Sequence, residues 1–152
     1  MTIDQTFNFR RVSDRVTTSG LVNAEQLATL GGEGYRAVIN LLPDSYEHAV
    51  HDEATIVRDQ GLDYVHIPVD YAAPTHADLE AFAEAMDARS GRKVHVHCAA
   101  NYRVSVFCAM YALQNGSCTE DEAMELIRDV WDPAGDAVWT AFIADERNRT
   151  PR

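Results

Sequence analysis

The chain has 152 residues, 46% hydrophobic and 24% charged, and its 24 Asp and Glu outweigh 13 Lys and Arg to leave a net charge of −11. That size and balance predict one soluble domain over residues 1–152, and no apolar run approaches the ~20 residues that a bilayer span needs. The acidic surplus argues against sequence-independent nucleic-acid binding, which draws on many Lys and Arg at once. Met1 to Arg15 lacks the apolar stretch of a secretory signal, so a cytoplasmic location is expected. The three cysteines, Cys98, Cys108 and Cys118, form no CxxC pair and are expected to be reduced.

Residues 1–8 and 145–152 carry no periodic pattern and are expected to be flexible. Val22, Asn23, Gln26 and Leu27 match the staple and capping-box positions of a helix start, with Gly31-Gly32 as its stop. Ala37 to Leu42 then predicts a buried strand. Asp44 and Glu47 repeat the capping-box spacing ahead of a helix carrying Tyr46, Val50, Ala54 and Val57, which ends near Gly61. Tyr64 to Val69 is the next strand. Thr75 and Asp78 open a third helix with Leu79, Phe82 and Met86 on one face, closed by Gly91 before the strand Lys93 to His97. This β-α-β-α-β alternation implies a mostly parallel sheet flanked by helices, with ligands bound beyond the carboxyl ends of the strands. Three helices follow. Val104, Phe107, Cys108 and Tyr111 share a face over 103–114; Thr119 and Glu122 open a helix carrying Ala123, Ile127, Val130 and Trp131; Asp136 opens the last, with Trp139, Phe142 and Ile143.

The segment KVHVHCAANYRVS, residues 93 to 105, puts Cys98 at the carboxyl end of a strand and Arg103 in the first turn of the following helix. Amides of Ala99, Ala100, Asn101, Tyr102 and Arg103, the positive end of the helix and the guanidinium fork together describe a cradle for a tetrahedral oxyanion. The same field favours a Cys98 thiolate, the nucleophilic form. A phosphoryl ester attacked by that thiolate needs a proton for its leaving oxygen. Asp70 follows the strand YVHIPV and is stiffened by Pro74, so it sits on a neighbouring loop at the right end of the sheet. Ser105 is a candidate hydrogen-bond donor to the Cys98 sulfur, and His97 a candidate to orient Cys98 through loop backbone. His95 and His97 form an H-x-H pair on one side of a strand, a pattern also used for metals, but without further ligands nearby; no metal or cofactor is expected. Cys108 sits on an apolar helical face and reads as core, while Asp44 and Glu47 read as a cap.

On these residues the chain resembles the cysteine-dependent protein tyrosine and dual-specificity phosphatases. It is most similar to a small bacterial branch also found fused to metallo-beta-lactamase-type hydrolases and linked in part to sulfide metabolism. SDRVTTSG (13 to 20), AVINL (37 to 41), HIPVDYAAPT (66 to 75) and HCAANYRVS (97 to 105) carry that similarity, over roughly residues 9 to 130. The resemblance implies a phosphatase-like α/β sheet, Cys98 as nucleophile, Arg103 as phosphate ligand and Asp70 as general acid, acting on a phosphorylated small molecule or phosphoprotein. It implies no oligomeric state.

The loop departs from the usual phosphatase signature, which has five residues between Cys and Arg and a glycine three after the Cys. Here four residues intervene and Asn101 stands where the glycine is expected; asparagine is the side chain that best tolerates positive φ. Either the loop is shortened, or its length is kept, with Val104 in the arginine's place and Ser105 aligned. A Cys-x4-Arg loop is also that of rhodanese-type sulfurtransferases, which carry a persulfide on the cysteine and need no general acid. A third reading is an anion-binding module without turnover.

Overall fold

The computed structural model describes residues 2–149. Its sheet has five strands in the order β1 (Arg10–Arg11), β2 (Val16–Ser19), β5 (Val94–His97), β3 (Ala37–Asn40) and β4 (Asp63–His66). β1 runs antiparallel to β2, and the other neighbours are all parallel. The central strand β5 is buried at every position, as a parallel strand covered on both faces must be. In register, Ser19 and Asn40 flank His97, and His66 follows Asn40, so four strand ends finish at one level directly before the candidate loop.

Helices cover both faces. α1 (Ala24–Leu27) and α2 (Glu53–Arg58) close one side, where Leu27, Leu30, Tyr35, Val38, Val57 and Leu62 form an apolar cluster with Ile3. α3 (His76–Ala88), α4 (Tyr102–Gln114), α5 (Glu120–Arg128) and α6 (Ala137–Arg147) build the larger cluster on the other side. Its centre is aromatic, with Phe107 5.8 Å from Phe82 and 5.7 Å from Phe142 between ring centroids, and Trp139 fully buried beside them.

The capping boxes at Asn23/Gln26, Thr75/Asp78 and Thr119/Glu122 form as their spacing predicts, and Asp136 accepts from the Trp139 amide to start α6. Other expectations need correction. Asp44 and Glu47 cap nothing: α2 begins only at Glu53, and the chain between Pro43 and Asp52 is a turn-rich loop, so Tyr46 lies off the helix. Pro43, and the absence of an apolar residue between Tyr46 and Ala49, leave that loop with no face to bury. Gly34, at φ 90°, makes the turn expected of Gly31-Gly32. α5 stops at Arg128, short of Val130 and Trp131. Strand β2 escaped the apolar pattern altogether because its inner residues are Thr17, Thr18 and Ser19.

The ends are tied down within the described residues. Ile3 is buried under the sheet, and Glu146, 1% exposed, accepts from His76 Nδ1 at 2.9 Å and Gln114 Nε2 at 2.8 Å. Of the tails expected to be flexible, 1–8 and 145–152, the described parts thus include the buried Ile3 and the last turn of α6; Met1 and 150–152 lie outside the described residues.

Candidate active site

The loop 98–101 leaves β5 and enters α4. It is held against the end of β2 and the N-terminal segment: the Leu21 amide donates to the Ala99 carbonyl at 2.9 Å, and Asn8 Nδ2 donates to the Ala100 carbonyl at 3.0 Å. Gly20 is needed here because a Cβ would stand 2.6 Å from the Ala99 oxygen and 3.0 Å from Ala100 Cα. Asn101 adopts the left-handed conformation at φ 69°, the position where the sequence already called for a glycine substitute. Its carboxamide turns away from the helix start, Nδ2 donating to the Asn8 carbonyl at 2.9 Å and to Thr18 Oγ1 at 3.0 Å. Asn101 is thus the residue before α4 yet makes no side-chain cap, so its carboxamide leaves the first-turn amides of α4 open. The loop is short: Arg103 is the second residue of α4, separated from Cys98 by four residues.

Arg103 is 8% exposed, and its Nε is buried without a hydrogen-bond partner. Its guanidinium carbon lies 5.3 Å from the Tyr71 ring centroid, a cation–π contact that positions the fork without occupying it. Tyr71 is in turn fixed by its hydroxyl donating to Asp136 at 3.0 Å and by Trp139 Nε1 donating to its carbonyl at 2.8 Å. Burial and the Asp136 carboxylate push the Tyr71 phenol up to about 12, so it is neutral at physiological pH. Trp131, beyond α5, stacks on Tyr102 at 4.4 Å and 6° and braces the start of α4.

Arg103 and Asp70 line one open cleft of about 690 Å³, walled by Pro43, Tyr46, Glu47 and Tyr71. Asp70 is exposed, and its carboxylate also accepts from the Ala72 amide at 2.9 Å, an Asx turn that fixes its direction. Cys98 is 1% exposed and belongs to the larger apolar cluster; it does not itself line the cleft. Among the predicted residues the fold therefore brings Asp70 and Arg103 to one cavity, with Cys98 at the start of the loop that carries Arg103. Ser105 is directed elsewhere. Its hydroxyl donates to the Tyr102 carbonyl at 2.8 Å and accepts from Trp131 Nε1 at 3.0 Å, so its single proton serves the loop backbone instead of the Cys98 sulfur. Cys108 is buried on the inner face of α4, where burial first and then the nearby Cys98 push its thiol up to about 12.

The two histidines of β5 have distinct tasks. His95 bonds Thr17 Oγ1 through Nδ1 and Ser19 Oγ through Nε2, both at 2.8 Å, and burial lowers its pKa well below the usual histidine range, so it is a neutral structural group with both nitrogens used. His97 does not orient Cys98 through loop backbone as expected. Its Nε2 meets Glu53 Oε2 at 2.5 Å, with both side chains under 5% exposed, and a carboxylate only accepts, so Nε2 carries the proton. Its Nδ1 is buried with no partner. Asn40, at the end of β3, adds Nδ2 donation to Tyr64 at 3.0 Å and a longer contact to Glu53 at 3.4 Å. Glu53 is the residue that sequence reasoning missed: it is 44 positions from His97 and looks like any helix-opening acid, and only the packing of α2 beside β4 brings its carboxylate to the end of β5.

The family described as beta-lactamase hydrolase-like protein, phosphatase-like domain, matches residues 8–115. The beta-lactamase hydrolase-like protein of Xylella fastidiosa (strain 9a5c) is 32% identical over 118 residues, which are 76% of this chain and 27% of that protein; the chain spans about a quarter of the length of the curated relatives it matches. Among solved structures, the DUF442 phosphatase candidate of Shewanella putrefaciens CN-32 is 36% identical with a TM-score of 0.86, covering 95% of this chain and 93% of that one. Tk-PTP, 20% identical with a TM-score of 0.73 and covering 92% of this chain and 95% of its own, shares the fold. The expected phosphatase-like mixed α/β architecture is the one observed.

Proposed function

The chain belongs to the family of beta-lactamase hydrolase-like protein, phosphatase-like domains, and from that premise we propose that it hydrolyses phosphomonoesters through Cys98. One observation carries the reading: a nine-tenths buried arginine, Arg103, faces the same cleft as the carboxylate of Asp70 with its Nε unpartnered, one short loop away from Cys98. An unpaired buried guanidinium is costly unless an anion completes it, and a tetrahedral phosphoryl group fits its fork together with the uncapped amides of α4.

In the proposed reaction the Cys98 thiolate attacks phosphorus, the P–O bond to the leaving group breaks, and Asp70 gives its proton to the departing oxygen. Water then attacks the thiophosphoryl-cysteine, Asp70 takes a proton from it, and the P–S bond breaks to return the thiolate and inorganic phosphate. The burial of Cys98 suits an electrophile no larger than a phosphoryl head. Steady-state hydrolysis of p-nitrophenyl phosphate, repeated with Cys98→Ser and Asp70→Asn, tests this. Cys98→Ser is expected to abolish turnover, and Asp70→Asn to slow esters with poor leaving groups more than p-nitrophenyl phosphate. Equal losses across leaving groups would remove Asp70 from the mechanism.

The four-residue spacing between Cys98 and Arg103 favours one second reading, sulfur transfer. There the Cys98 thiolate attacks the outer sulfur of thiosulfate, sulfite leaves, and the persulfide sulfur passes to an acceptor such as cyanide as thiocyanate. Asp70 has no part in that reaction, so thiocyanate formation lost in Cys98→Ser and unchanged in Asp70→Asn would establish it.

A further inference from the structure

The walls of the cleft carry a charge pattern that the chemistry at Cys98 does not require. Arg103 is the one basic side chain among the described residues lining it, and two carboxylates, Glu47 and Asp70, line it too. With both carboxylates ionised, the lining sums to one negative charge before any ligand enters. The guanidinium is sunk to 8% exposure against the Tyr71 ring, whereas Glu47 and Asp70 are exposed at the rim. Positive potential is confined to the floor and negative potential surrounds the way in. The volume of about 690 Å³ exceeds what a phosphoryl group alone occupies, so the body of the ligand sits among the rim residues. A phosphoryl dianion on Arg103 uses up the single cation, and a second anionic group on the same ligand then faces carboxylates alone.

We propose, resting on the assignment of Arg103 as the phosphoryl-holding group, that the substrates are phosphomonoesters whose body carries positive charge and no second anion, with Glu47 as the residue that selects them. Glu47 comes from the turn-rich loop after Pro43, outside the loop, helix and general acid that act on phosphorus. It discriminates by field: an ammonium near the ester oxygen is attracted, while a carboxylate or second phosphate there is repelled. Diphosphates, polyphosphates and phosphorylated acids are excluded on the same ground.

The test is calorimetric binding to Cys98→Ser at pH 8 in low salt. Three probes are used: inorganic phosphate, O-phosphoethanolamine, and phosphoglycolate, the last two differing mainly in an ammonium or a carboxylate at similar reach. Phosphoethanolamine is expected to bind about tenfold tighter than phosphoglycolate, a gap that corresponds to modest screened charge effects from two exposed carboxylates. The gap should narrow to about threefold in Glu47→Gln and close as ionic strength rises past 0.5 M, where the screening length falls to a few Å. Phosphate binding with equal affinities for the two esters, or tighter phosphoglycolate, overturns the inference and leaves the Arg103 assignment standing. Failure of inorganic phosphate itself to bind overturns both.

Discussion

Replacing Glu53 by alanine probes the least visible part of the site. In the fold Glu53 is 3% exposed and receives the His97 Nε2 proton at 2.5 Å, while the Asn40 carboxamide, 3.4 Å away, keeps its better bond to Tyr64. Alanine therefore removes one charge-assisted hydrogen bond outright, worth about 1.5–3 kcal/mol. Because His97 Nδ1 has no partner to begin with, the variant leaves both ring nitrogens unpaired in a buried strand. Loss of the γ-methylene, with the cavity the side chain leaves, adds about 1–2 kcal/mol. The sum, about 2.5–5 kcal/mol, overlaps the usual penalty for removing one partner of a buried charged pair. For a chain of this length it lowers Tm by roughly 5–20 °C. Glu53→Gln keeps the shape and one acceptor oxygen and should lose about half as much. Urea and thermal unfolding followed by circular dichroism measure both. If Glu53→Ala unfolds within about 1 kcal/mol of the parent chain, the pair is incidental and the account of how the carboxyl end of β5 is held is wrong.

Gly20→Ala should destabilise by about 1–3 kcal/mol, since its Cβ would meet the Ala99 oxygen at 2.6 Å, backbone that has nowhere to retreat; chemical denaturation reads it. Asn101→Ala gives up the hydrogen bonds to Asn8 and Thr18 and puts a Cβ with no polar head at φ 69°, for about 2–4 kcal/mol in total. Asn101→Gly should cost less, because only the bonds are lost, and a glycine variant as unstable as the alanine one would show that backbone strain plays no part. Burial first, then the Glu53 charge, push the Tyr64 phenol from 10.0 up to about 12. A raised folded pKa means that its stabilisation is complete below about pH 10 and lost as pH climbs toward 12. Tyr64→Phe should flatten the stability curve over that window, and an unchanged slope would contradict the burial argument.

Where the sequence was legible, a local rule was enough. Capping boxes depend on two residues three apart, so Asn23/Gln26, Thr75/Asp78 and Thr119/Glu122 were readable, and the buried strands β3 and β5 were readable from unbroken apolar or alternating runs. Asp70 and Arg103 come to line one cleft, as strand ends in a parallel sheet meet at one edge. Strand β2 was invisible to hydropathy because Thr17 and Ser19 satisfy His95, and Thr18 satisfies Asn101, so hydroxyls replace the apolar inner face. Asp44 and Glu47 show the reverse failure: the spacing of a cap without an apolar face behind it starts no helix, and the pair was left in the loop that walls the cleft. Ser105 gives its proton to the Tyr102 carbonyl, a local helix-start bond that no sequence spacing announces, and Trp131, beyond the end of α5 at Arg128, donates to the same hydroxyl. Glu53 had no local signal, since its meaning comes from the packing of α2 beside β4, which brings its carboxylate to His97 at the end of β5.

The most direct test of the account is the covalent state of Cys98 during turnover. The protein is mixed with p-nitrophenyl phosphate, quenched within the first turnovers, digested and examined by mass spectrometry, alongside a parallel sample given thiosulfate. The account predicts a phosphoryl group on the peptide containing Cys98, trapped at higher occupancy in Asp70→Asn, where water is activated poorly, and absent in Cys98→Ser. An unmodified Cys98 in the phosphate sample together with a persulfide in the thiosulfate sample would contradict it and assign the loop to sulfur transfer.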